Sequence, residues 1–289
     1  MKKIWLAITA HNPLRRINTL INVLNSYAKY PYTLVIKIYI DYDSQGDKEQ
    51  LEEILRGIPN LNIEVVVASP GYEGWFLTWA HKNDLALAVL NKKADFYIYQ
   101  ENDMVIPLES FHYWLRWKKP LSKYKLEPGF IRYENFEGKK VPFDNHCKYS
   151  LTQETKNVWH NVGFTVPKIL VISRDFDLFV QVASPYYGGM ILDQEDADKY
   201  IRSQSFDPHG SYELVGIRNW PIADRSSMGL AFEDLPTGYE HRRCVPIKKV
   251  KGVYKPHPWC LLQHDDTKYA PELHAKLGEV LDCEEMFEL

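Results

Sequence analysis

Glu101 and Asp103 stand two residues apart in the stretch YIYQENDMVIP, directly after an almost wholly apolar run. Carboxylates at the mouth of a buried strand either make a turn or hold a cation. In an extended segment residues 101 and 103 point to the same side, so both can serve one cation, or a cation and a ribose together. The fitting ion is Mg²⁺ or Mn²⁺, which takes oxygen ligands in octahedral array and usually keeps substrate phosphates among them. The pair alone says little, because several acid-x-acid pairs arise by chance at this acidic content. Its place in the chain gives it weight.

Four strand-helix repeats lead up to that place. KIWLAIT reads as a strand, and Asn12-Pro13 as the cap of a helix whose apolar residues Leu14, Ile17, Leu20, Ile21, Leu24 and Ala28 follow helical spacing. LVIKIYI is a second strand, DKEQLEEILRGI a helix stopped near Gly57 and Pro59, and NIEVVVA a third strand. GWFLTWAHKNDLALAVLNKK predicts one long helix, with Lys82 and Asn83 on a solvated face or turned to a ligand. DFYIYQ then predicts a fourth strand, apolar on both faces and therefore central in a parallel sheet. Such repeats imply an open doubly wound sheet whose ligands bind beyond the carboxyl ends of its strands, where Glu101 and Asp103 would lie.

Beyond residue 108 the pattern weakens. LESFHYWLRWKK, DADKYIRSQ and ADRSSMGLAF predict helices, and GFIRYE, RRCVPI and WCLLQH predict strands; residues 135–165 carry no assignable pattern. No linker or repeat separates the halves, so the second half is expected to elaborate the first.

Composition narrows the class. The 289 residues suffice for a full α/β core, and hydrophobic content of 45% with 25% charge is ordinary for a globular chain. Aromatic content of 13% is high, which suits either core packing or a site for flat, ring-shaped ligands. A net charge of −3 without a block of like charges argues against nucleic acid as a partner. The opening MKKIWLAI is too short an apolar run for a leader and reads as the first strand. No run is long enough to cross a bilayer, which leaves peripheral membrane association open. Cys147, Cys244, Cys260 and Cys283 lie far apart without a CxxC pair, so neither zinc nor a disulfide framework is expected, and a reducing cytoplasm is the expected location.

With these motifs in place, residues 4–107 resemble the GT-A class of nucleotide-sugar-dependent glycosyltransferases. LAITAHNPLRRINTLINVL is similar to that family's opening strand and helix, and IYIDYDS to its second strand with nucleotide-contacting acids. GYEGWFLTWAHKNDLALAV resembles its next loop and helix, and ADFYIYQENDMVIP its metal-binding strand end, with Glu-Asn-Asp where Asp-x-Asp is frequent. The resemblance implies a GT-A type, open, mostly parallel doubly wound sheet with a C-terminal α+β elaboration. Residues 1–107 would be the nucleotide-sugar-binding half, and 108–289 the acceptor-side half of the same domain.

It also implies roles. Thr9, His11 and Asn12 would lie near the nucleotide, Asp41 and Asp43 near its base or ribose, and Asn83 and Asn102 near the donor. Gly188 and Gly189, in YYGGMIL, would let backbone approach the donor sugar or would form a plain turn. His264, at the end of WCLLQH, would complete the metal shell of Glu101 and Asp103 or be a surface histidine, with Asp265 or Asp266 orienting its second nitrogen. Asn12 can equally be a helix cap, and one of Asp41 and Asp43 a turn residue beside Gly46. For the base of an inverting transfer, Asp196 has the closer local likeness, and Asp224 the better spacing beyond the glycines; either can instead cap its helix.

The expected reaction is therefore metal-dependent transfer of a sugar from a nucleoside-diphosphate donor to a hydroxyl of a glycan or glycoconjugate. A sugar-phosphate nucleotidyltransferase is the rival enzyme, although TAHNPLRR lacks the glycine of its phosphate loop. A glycoside hydrolase would need facing carboxylates and no nucleotide. A non-catalytic carbohydrate-binding module of the same fold is the remaining alternative.

Overall fold

The computed structural model describes residues 1–150 and 178–288, together with two-residue strands at 155–156, 163–164 and 169–170. The rest of the stretch that carried no assignable pattern, from residue 151 onward, lies outside the described residues. The described chain forms two compact units, one of residues 1–104 and 188–233, the other of 105–187 and 234–289. Segment 188–233, grouped with the second half in the sequence reading, thus belongs to the first unit.

The first unit is built on a five-stranded sheet. Strands β1 (Lys3–Ala10), β2 (Thr33–Ile40), β3 (Asn62–Val67) and β4 (Phe96–Glu101) run parallel in the order β4-β1-β2-β3. The strand Gly189–Asp193 pairs antiparallel with β4 on the outer edge. This is the expected α/β class with an open, mostly parallel sheet. The nearly unbroken burial of β1 and β4 follows from their central places, where both faces are covered. The edge strand β3 buries only Val65 fully.

Helix α1 (Ile17–Tyr27) buries Leu20, Val23, Leu24 and Tyr27, the i, i+3, i+4, i+7 stripe of an amphipathic helix. It starts later than Asn12-Pro13 suggests. Asn12 has a φ of 48° and leads a tight turn in which its carbonyl accepts from Arg15 N–H, so it caps nothing. Helix α2 is Lys48–Leu55. The single helix expected from Gly74 onward is broken into a 3-10 turn, Gly74–Trp79, and helix α3, Lys82–Leu90. The tighter turn buries both Leu77 and Trp79, and the Trp79 indole N–H donates to the Ile222 carbonyl at 2.8 Å.

The helix expected over ADRSSMGLAF shrinks to Ile222–Arg225. Ser226 and Ser227 turn their hydroxyls back onto the carbonyls of Ala223 and Asp224 at 2.7 and 2.8 Å, and Gly229 adopts a φ of 58°. Such local bonds offer the backbone an alternative to the helix ladder. The unit's core gathers Trp5, Tyr39, Leu85, Tyr97, Tyr99 and Tyr200. Part of the high aromatic content is therefore packing.

Among the described residues the second unit contains α4 (Leu108–Ser122), the strand pair Thr155–Lys156 and Gly163–Phe164, and two larger sheets. In one, Arg243–Val250 pairs antiparallel with Leu178–Val180 and with Val253–Pro256. In the other, Ile131–Phe136 lies parallel to Leu261–His264 and antiparallel to Lys139–Val141. The helix Tyr269–Leu277 packs Ala270 and Leu273 on Val141 and Phe143. No helix among the described residues is long and apolar enough to cross a membrane.

Candidate active site at the carboxyl edge of the first sheet

The question posed by Glu101, Asn102 and Asp103 has a first answer in the backbone. The strand is extended only to Glu101, and Asn102 and Asp103 form a turn before Met104. Strand alternation therefore does not by itself bring the two carboxylates together, as the extended reading assumed. The turn itself is held from three sides. The buried Gln100 amide donates to the Met104 carbonyl at 2.7 Å and accepts from the Tyr27 hydroxyl. Asn102 N–H donates to the Thr9 carbonyl at 3.1 Å, and Glu101 N–H to the Gly188 carbonyl at 2.9 Å.

Asp103 is buried, with Oδ2 accepting from the half-exposed Arg16 guanidinium at 3.3 Å. Glu101 is half-buried beside Gly188. Gly188 has a φ of 67°, and a Cβ there would lie 2.7 Å from Met104 Cγ and 3.4 Å from Glu101 Oε2. Both the conformation and the close approach require glycine. Gly189 begins the edge strand opposite Gln100. The buried side-chain NH₂ of Asn102 meets no hydrogen-bond acceptor among the described residues.

Asp41 ties three strand-end loops together. Its buried carboxylate accepts from His11 Nδ1 at 2.6 Å and from Gly74 N–H at 3.2 Å. Because a carboxylate only accepts, the His11 ring carries its proton on Nδ1, and Nε2 accepts from Asn12 Nδ2 at 2.7 Å. The same loops present Tyr42, Trp75 and Phe76, which are 45%, 76% and 45% exposed. Asp43 is exposed in the turn Tyr42–Asp47, and Asn83 is exposed in the first turn of α3. Thr9 is buried, its hydroxyl 3.1 Å from the Tyr99 hydroxyl, so it positions the turn from beneath.

The two candidate bases differ in access. Asp196 is 2% exposed, in the first turn of the helix Gln194–Tyr200, which is capped by Asp193 rather than by Asp196 itself. Asp224 is half-exposed in Ile222–Arg225 and is likewise not the cap. Its segment is fastened by Trp79 at one end and by Lys82 Nζ, which donates to the Ser226 carbonyl at 2.8 Å, at the other.

Lys82 is not on a solvated face. It is buried, bonded to the Tyr200 hydroxyl and enclosed by the rings of Trp79, Tyr99, Tyr200 and Phe206 at 4.7–5.9 Å. Burial holds its amine well below the ordinary value of 10.5. The unfolded chain thus binds this proton more readily than the folded chain. Stability should rise as pH climbs from the depressed native pKa toward 10.5 and should be lowest where both states are protonated. Lys82→Met is expected to stabilise the protein at neutral pH by on the order of 1–3 kcal/mol, an advantage that shrinks at alkaline pH. The Ser226 carbonyl keeps a donor in that variant, since the Tyr200 hydroxyl lies 3.3 Å from it. Urea unfolding at several pH values checks this, and a pH-independent difference would refute it.

His264 belongs to the second unit. It is 2% exposed, with Nδ1 2.8 Å from Oε1 of Glu134, which is itself wholly buried. Glu134 also accepts from the backbone N–H of Ala270 at 2.7 Å, so it fixes both the imidazole and the start of the next helix. The carboxylate at His264 Nδ1 is therefore Glu134, and the ring is buried rather than on the surface. A carboxylate on one ring nitrogen is the support a metal-ligating histidine has, and equally that of a satisfied core histidine.

Among the described residues, no three His, Cys, Asp or Glu side chains form a group that could hold a metal ion. The donors at the turn fit a hard cation that arrives with phosphate oxygens, not a preformed protein cage. Arg16 and Gln100 are the functional residues that the sequence reading missed. Arg16 had a signal, a basic residue at the end of the first strand-end loop; Gln100, inside an apolar strand, had only its polarity.

No family model matches the chain, and no curated protein is similar to it in sequence. Among solved structures it is similar to S. aureus TarS 1–349, with 13% identity, a TM-score of 0.37, and 93% of this chain and 61% of that one covered. It is also similar to mannose-1-phosphate geranyltransferase from Thermus thermophilus, with 10% identity, a TM-score of 0.40 and coverage of 82% and 72%. A third is 4-diphosphocytidyl-2C-methyl-D-erythritol synthase from Anaerococcus prevotii, with 16% identity, a TM-score of 0.34 and coverage of 70% and 76%. At such values the likeness fixes neither activity nor substrate.

Proposed function

We propose that the protein is a glycosyltransferase that binds a nucleoside-diphosphate sugar together with Mn²⁺ or Mg²⁺ at the carboxyl edge of the first sheet. The observation that carries this reading is the Glu101–Met104 turn. Two carboxylates sit on a backbone fixed by Gln100, Thr9 and Gly188, at the end of a central strand where open α/β sheets bind their ligands. In this reading Asp103 and Glu101 hold the cation, which when bound would offset the charge of the departing diphosphate. The Asp41–His11 pair sets the loop that meets the nucleotide, and Tyr42 and Trp75 offer flat faces to its base or ribose. Gly188, without a side chain, lets Met104 and Glu101 pack closely against its backbone at the end of the strand. Asn102 lends an amide to the donor.

Asp224 is proposed as the base that takes the proton of the acceptor hydroxyl. It is the more accessible of the two candidates, and its segment is fastened to α3 and to the turn before it. His264, held by Glu134 within the second unit, is not assigned to the cation, because no group of three His, Cys, Asp or Glu side chains among the described residues could hold one. The acceptor is proposed to be a glycan or glycoconjugate. Four buried, free thiols suit a reducing compartment, so the cytoplasm is the proposed location.

A thermal-shift screen of UDP-, GDP-, TDP- and CMP-sugars with Mn²⁺ tests the reading, since a ligand bound only by the folded chain raises its melting temperature. One nucleotide sugar should shift the transition only when the cation is present. Stabilisation by a nucleoside triphosphate with a sugar phosphate, and by no nucleotide sugar, would move the protein to the nucleotidyltransferases.

A further inference from the structure

The hairpin formed by Arg243–Val250 and Val253–Pro256 ends in an exposed tip that carries both lysines and valines. Its register places Lys248 opposite Lys255 and Val250 opposite Val253. Side chains two residues apart share a strand face, so Lys248, Val250, Val253 and Lys255 all lie on one face. Directly opposed like charges destabilise a strand pair. Of the two lysines, Lys255 has its charge answered, by Glu284. Val250 and Val253 are 41% and 47% exposed as a cross-strand pair at the tip.

The turn has the same form as Glu137–Gly138, which joins Phe136 to Lys139. Lys251 and Gly252 both have positive φ, 51° and 88°, as a two-residue hairpin turn of the I′ kind requires. Lysine is a poor residue for the first of these positions, where asparagine or glycine would relieve strain. A Cβ built on Gly252 would meet nothing within 4 Å, so the tip stands in the open. Residues 248–255 thus contain four lysines and no acid, in a chain whose net charge is −3.

The exposed Lys248, the bare valine pair and Lys251 at the turn all lie on one tip. We infer that this hairpin is a docking element for an anionic membrane surface: the lysines meet lipid phosphates and carboxylates while Val250 and Val253 enter the headgroup boundary. Basic residues that share a short segment with apolar ones supply the two signals that reversible membrane attachment needs. Each lysine near an anionic leaflet strengthens binding by roughly fivefold, and the attraction fades with salt. The inference rests on the second unit alone and does not depend on the transferase reading.

Co-sedimentation of the full chain with vesicles of phosphatidylcholine, with and without phosphatidylserine, tests it. Binding should require phosphatidylserine and fall at high salt. Lys248→Gln combined with Lys251→Asn should weaken it by about 25-fold, from two lysines at roughly fivefold each. Because asparagine suits the left-handed position, the melting temperature should hold or rise, so a loss of binding cannot be blamed on misfolding. Val250→Ser with Val253→Ser should weaken binding at high salt as well as low. Equal binding to both vesicle types, or undiminished binding by the lysine variant, would overturn the proposal. So would retention of single-stranded RNA without any vesicle binding. Nucleotide-sugar affinity measured on the same lysine variant should be unchanged, which keeps failure here separate from failure of the transferase reading.

Discussion

Replacing Asp103 by alanine is expected to remove the metal-dependent part of nucleoside-diphosphate affinity, a loss of at least about 100-fold, while the protein stays folded. The two halves of that expectation have separate grounds. Asp103 is a carboxylate on a backbone turn that Gln100, Thr9 and Gly188 hold through main-chain and neighbouring groups, so truncating its side chain leaves the turn bonded. Its partner Arg16 is 38% exposed and can be rehydrated, which spares the variant most of the penalty of a stranded buried charge. Binding of Mn²⁺ in the presence of nucleoside diphosphate, followed by electron paramagnetic resonance, gives a readout independent of turnover. If the variant retains Mn²⁺ and nucleotide as the wild type does, the carboxylates are turn residues and nothing more.

The second large effect concerns the base. Asp224→Asn should lower turnover by about 10²–10⁴-fold, the usual contribution of a positioned general base. Donor affinity should hardly change, because a loss confined to the transition state appears in the rate. The substitution is conservative for the fold, since the bond from the Ser227 hydroxyl is to the Asp224 main-chain carbonyl at 2.8 Å. Asp196→Asn should be mild in rate, since a carboxylate with 2% exposure is poorly placed to meet an acceptor hydroxyl. A reversed ranking would move the base to the helix Gln194–Tyr200. Small effects at both, with product NMR showing a retained anomeric configuration, would exclude an inverting course.

The first half of the chain was legible because its signals were local. Buried parallel strands read as apolar runs, and α1 read as a helix, although of its expected apolar positions only Leu20 and Leu24 are fully buried, beside Val23 and Tyr27. Breaks in helices were harder. Whether GWFLTWAHKNDLALAV is one helix or a 3-10 turn and a helix depends on where Trp79 finds its carbonyl, at Ile222, far along the chain. ADRSSMGLAF looked helical by composition, yet two serine hydroxyls competed for its carbonyls.

At the site, sequence located the acidic pair but misjudged its backbone. The turn depends on Gln100, whose buried amide bridges Tyr27 and Met104. Lys82 was misread for the same reason: helical periodicity does not reveal that four aromatic rings from distant segments enclose it. Glu134, 130 positions before His264, is likewise invisible to any local pattern.

Whether the turn after β4 binds nucleotide and cation together is decided by isothermal titration. The wild-type protein is titrated with the nucleoside diphosphate of the best-stabilising donor, first in Mn²⁺ and then in EDTA. Saturable binding to one site per chain in Mn²⁺, lost in EDTA and restored by excess Mn²⁺, is the predicted result; affinity that is unchanged in EDTA would contradict it.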